Sequence, residues 1–112
     1  MISNVYCDAS KSPEERAEAL LRKMNLDEKM AQVSCVFPYN GAERDFDWIS
    51  AHTPCGIGEV STLEVRSMKT LREAAAWQRR VQAIVMENSP HHIPAIFHME
   101  GLCGTMIQDG VS

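Results

Sequence analysis

Three of the four histidines, His91, His92 and His98, lie close together, and Glu100 follows the last of them by two positions. His98-Met99-Glu100 has the spacing at which zinc-dependent nucleobase deaminases set a metal-binding imidazole beside a proton-shuttling carboxylate, but those enzymes need a Pro-Cys-x-x-Cys further on. Only one cysteine, Cys103, follows Glu100, so the ligand count for a catalytic zinc is not met. His91 and His92 are adjacent, and on extended chain adjacent side chains point to opposite sides, so the three histidines are not expected to gather a metal. Gly56-Ile57-Gly58 lacks the third glycine of a dinucleotide-binding loop, because Ser61 occupies that place, and no cofactor is expected. Cys7, Cys35, Cys55 and Cys103 are widely spaced, without a Cys-x-x-Cys pair, and read as free thiols in a reducing compartment. That leaves Glu100. It follows an apolar run that reads as a buried parallel strand, at the end where α/β folds place ligand-binding groups. Position alone leaves two readings open, a binding carboxylate and a solvated loop residue.

The elements that must position these residues follow from capping and periodicity. Ser12-Pro13-Glu14-Glu15 combines a hydroxyl N-cap, proline at the first helical position and glutamate three residues after the cap. Ala17, Leu20, Leu21 and Met24 then share one face of a helix. Asn25-Leu26-Asp27-Glu28 repeats the capping logic, so a helical pair is expected over 13–33. Residues 37–55 read as loop or a short amphipathic turn around Trp48. Residues 56–61 are a short strand candidate, with glycines where the backbone passes close to its neighbours. A long helix is expected over 67–87, with Leu71, Ala74, Ala75, Trp77, Val81, Ile84 and Val85 on its apolar face. Ile93-Pro94-Ala95-Ile96-Phe97-His98 is a buried strand over 93–98, and the tail from Gly101 to Ser112 is glycine-punctuated loop. The fold class is therefore α/β: two lead-in helices, strand, long helix, strand. Two parallel strands do not make a stable sheet, so the chain is expected to be incomplete on its own.

Ile93-Pro94-Ala95-Ile96-Phe97-His98-Met99-Glu100-Gly101-Leu102-Cys103-Gly104 resembles the second-strand signature of family 3 glycoside hydrolases, in which Ile-Pro opens a strand that ends in an acidic residue and a glycine. Leu20-Leu21-Arg22-Lys23-Met24-Asn25-Leu26-Asp27-Glu28-Lys29-Met30-Ala31-Gln32-Val33, with Glu15-Arg16 before it, resembles that family's opening helical pair, with Asn25 where threonine is usual. Gly56 to Ser61 resembles its first barrel strand, and Trp77-Gln78-Arg79 to Glu87 the helix between the strands. Cys103 stands where histidine is common. The resemblance implies the amino-terminal portion of a (β/α)8 TIM-like barrel, a domain of about 250 residues that this chain cannot contain whole. It also implies a retaining, exo-acting β-glycosidase acting on terminal β-linked glucose or xylose. Neither the nucleophile nor the acid/base maps onto this chain, so no catalytic residue is assigned. The acidic residue that ends the second strand in the family binds hydroxyls of the terminal sugar, and it maps onto Glu100. Glutamate is one methylene longer than the aspartate of glucose-specific members, which favours a pentose such as xylose.

Composition narrows the classes further. The chain has 112 residues, of which 45% are hydrophobic and 23% charged, with a net charge of -4 and no basic stripe, so nucleic acid is not an expected partner. No apolar run approaches the roughly 20 residues of a membrane span, and Met1 to Tyr6 lacks a secretory leader's pattern, so a cytoplasmic protein is expected. Two alternatives come from other classes: a helical protein-interaction module using the apolar faces around Leu20 and Val81, and a small metal enzyme built on His98 and Glu100.

Overall fold

The computed structural model describes residues 5–38 and 45–101. Helix α1 (Pro13–Leu21) begins where capping requires: Ser12 Oγ accepts from the Glu15 amide, and the Glu15 carboxylate accepts from the Ser12 amide. Helix α2 (Leu26–Gln32) starts in the same way on Asn25 and Glu28. It stops one residue short of the expected end, and Val33 is exposed. The stripe of α1 is only partly used: Met24, beyond its end, is buried, whereas Leu21 is exposed. Helix α1 packs on the short 3-10 turn Val5–Cys7, tied there by Arg16 Nε donating to the Tyr6 carbonyl.

Strand β1 (Cys35–Val36) and helix α3 (Phe46–His52) come next, in a region expected to be loop or turn. Asp45 caps α3 by accepting from the Trp48 amide, and Ile49 is buried. Strand β2 (Glu59–Ser61) is shorter than the expected 56–61: Gly56, with φ 77°, forms only an isolated bridge with Pro54, and the chain bends at Gly58 before the ladder begins. A 3-10 turn, Leu63–Ser67, then precedes helix α4 (Leu71–Asn88). The expected start at 67 is corrected to 71: Met68 is extended, and Thr70 caps the helix in a reciprocal box with Glu73. Strand β3 (Ile96–His98) is also shorter than the expected 93–98. Pro94 has no N–H to offer a ladder. The Ala95 backbone is held instead by a side chain, Gln82 of α4, which accepts from its amide and donates to its carbonyl.

The three strands are parallel and lie in chain order β1-β2-β3. The registers Val36↔Val60 and Val60↔Phe97 set one row on the face that α3 and α4 cover, where Ile49, Ile57, Val81, Ile84, Val85 and Ala95 complete the core. The opposite face carries Cys35, Glu59, Ile96 and His98, all exposed. Val81, Ile84 and Val85 are buried against the sheet. Among the described residues, no helix is long and apolar enough to cross a membrane.

The Thr70 cap gives a direct test of the α4 boundary. Thr70→Ala removes the acceptor for the Glu73 amide and should cost about 1 kcal/mol. Thermal unfolding followed by circular dichroism should register this as a fall in Tm of several degrees. Ser67→Ala, which lies outside the helix, should leave Tm nearly unchanged.

Candidate functional site

The carboxyl end of the sheet is pinned where β3 runs out. Thr62, directly after β2, donates from both its amide (2.8 Å) and its hydroxyl (3.0 Å) to the His98 carbonyl. These two hydrogen bonds to one acceptor fix the point from which Met99 and Glu100 leave the sheet. Glu100 is exposed, two residues past the strand, and none of the ion pairs among the described residues involves it. An ionised carboxylate in this position can accept charge-assisted hydrogen bonds from hydroxyl or amide donors.

The three histidines lie apart from one another. His91 packs edge-on against Tyr6, and its Nε2 lies 3.3 Å from Glu28 Oε2. Among the described residues that buried Nε2 has no hydrogen-bond partner. Glu28 therefore caps α2 and faces a half-buried imidazole at once. His92 takes φ 53°, with its Nδ1 3.0 Å from the Met86 carbonyl. His98 does not join Glu100. Its Nε2 lies 3.4 Å from Cys35 Sγ and 3.7 Å from Glu59 Oε2, across the exposed sheet face.

Cys35 and Glu59 are site candidates that sequence reading missed. They lie on different strands from His98 and meet it only through the register of the sheet. No local spacing signals that meeting.

Two surface hollows flank the core. One, of about 550 Å³, follows the open edge of β1 and is lined in part by Met30, Phe37, Trp48, His52 and Cys55. The other, of about 640 Å³, lies between the ends of α3 and α4, with Phe46, Met68, Trp77 and Arg80 in its walls. Glu100 lines neither. Cys7, Cys35 and Cys55 are unpaired thiols, and Cys103 lies outside the described residues. No family model matches the chain, and no curated protein matches it.

Proposed function

We propose that the chain is the amino-terminal part of the barrel domain of a retaining, exo-acting β-glycosidase similar to family 3 glycoside hydrolases, and that Glu100 binds the hydroxyls of a terminal glucose or xylose unit. The observation that carries this reading is the placement of Glu100 immediately beyond the carboxyl end of a parallel strand, where singly wound barrels assemble their binding loops. Three parallel strands in chain order, with α3 and α4 on one face, are the arrangement with which such a barrel begins. β1 adds a strand ahead of the segment that resembles the family's first, so Glu100 follows the third strand of this sheet. Among the described residues the second face of the sheet has no cover, with Ile96 67% exposed, which supports incompleteness because parallel sheets are ordinarily covered on both faces.

In the reaction, a carboxylate nucleophile forms a glycosyl-enzyme that water then hydrolyses, and a second carboxyl group acts first as acid and then as base. On this reading both groups belong to sequence beyond Ser112. This chain contributes orientation: Glu100 fixes the register of the sugar by accepting from paired hydroxyls.

The test is to extend the chain with its downstream coding sequence and assay aryl β-xylosides and β-glucosides. The extended protein should hydrolyse at least one of them, and the 112-residue chain should hydrolyse neither. Turnover by the short chain that a point substitution within it abolishes would overturn the proposal, as would an extended protein inactive on every β-glycoside.

A further inference from the structure

We infer that Cys35, Glu59 and His98 form a binding site for a thiophilic divalent cation such as Zn²⁺, with an open position for water. Each of the three parallel strands contributes one ligand: β1 a thiol, β2 a carboxylate and β3 an imidazole. One donor atom from each, a thiol sulfur, a carboxylate oxygen and an imidazole nitrogen, all lie within 4.8 Å of one another. Ligands held at zinc's usual bond lengths in a tetrahedral shell are separated by about 3.3–3.7 Å. The Sγ···Nε2 gap of 3.4 Å and the Nε2···Oε2 gap of 3.7 Å already fall there. The remaining thiol–carboxylate gap closes by rotation of exposed side chains, without movement of the strands.

Two other readings of this trio fit less well. In a Cys-His-carboxylate nucleophilic triad, the imidazole bridges, with one ring nitrogen to the thiol and the other to the acid. Here both groups face the same nitrogen, Nε2, so the donors converge on a point and do not form a relay. A calcium or magnesium site would need several oxygen ligands and has no use for a thiolate. A mixed sulfur, nitrogen and oxygen set selects zinc or its chemical relatives, and three protein ligands leave the fourth position open. Glu100 takes no part and the ligands come from all three strands, so failure of the glycosidase reading would leave this inference standing; in a completed barrel the same face, opposite α3 and α4, would turn to the interior.

Co²⁺ serves as the spectroscopic probe, titrated into the 112-residue chain under reducing conditions, with Zn²⁺ then used to displace it. The expected result is one equivalent of bound Co²⁺ with a thiolate-to-metal charge-transfer band and the intense visible bands of a tetrahedral site. Cys35→Ser should abolish the charge-transfer band and weaken Zn²⁺ binding by at least about tenfold. His98→Ala and Glu59→Gln should each weaken it with the band retained. Cys7→Ser, Cys55→Ser and Cys103→Ser should change nothing. Unchanged circular dichroism in Cys35→Ser would show that the loss is one of ligation. No charge-transfer band, or a band that survives Cys35→Ser and disappears on removing another cysteine, would overturn the inference.

Discussion

Gly58→Ala should abolish cooperative folding, a loss of more than about 4 kcal/mol where a typical core substitution costs less. A Cβ at position 58 would sit 2.6 Å from the Gln32 carbonyl carbon and 3.1 Å from its Cα, and closer still to the carbonyl oxygen. The obstruction is backbone at the end of α2, which cannot rotate out of the way. Gly58 cannot move either, because its amide donates to the Ala31 carbonyl and its carbonyl accepts from the Ile96 amide, both at 2.8 Å. Relieving the clash would part α2 from β2 or β2 from β3. Gly56→Ala provides the calibration. There the φ of 77° strains any L-residue, and the atom met first is the Ser89 Cβ at 2.9 Å, at the buried C-cap of α4, which must shift by a few tenths of an ångström. That substitution should cost at least the roughly 1–2 kcal/mol of the backbone strain, but less than the direct backbone clash at Gly58. Urea titration followed by circular dichroism separates the cases, and a Gly58→Ala chain with a midpoint near that of the parent would refute the close-packing account.

What was legible in the sequence follows from how local each cause is. Ser12 with Glu15 and Asn25 with Glu28 announce their helices because cap and partner stand three residues apart. Thr70 with Glu73 carries the same signature, but the helix expected over 67–87 was read from its apolar face, and that face does not mark its own start. β1 is different in kind. Cys35–Val36 is too short to show an alternation and exists because β2 pairs with it, so no window of local sequence contains its cause. The place of Glu100 beyond a strand was legible because an apolar run precedes it. The meeting of Cys35, Glu59 and His98 was not, since it depends on a separation of 63 residues closed only by the parallel register.

Glu100→Gln, made in the extended enzyme, keeps the shape of the side chain and removes its charge. If the carboxylate accepts short bonds from sugar hydroxyls that tighten towards the transition state, kcat/KM should fall about ten- to a hundredfold, equivalent to roughly 1.5–3 kcal/mol. Stability should scarcely change, because Glu100 is exposed beyond the end of β3 and the strand end is held by Thr62 instead. This separation of effects matters: a fall in Tm accompanying the loss of activity would indicate a structural role, and an unchanged kcat/KM would leave Glu100 a solvated loop residue. Glu100→Asp asks about the substrate. If the longer side chain occupies the space of a hydroxymethyl group, shortening it should raise the ratio of glucoside to xyloside turnover, by about ten- to a hundredfold if one methylene of space decides the fit. A ratio that stays constant while both rates fall would mean that the carboxylate binds hydroxyls common to the two sugars and does not select between them.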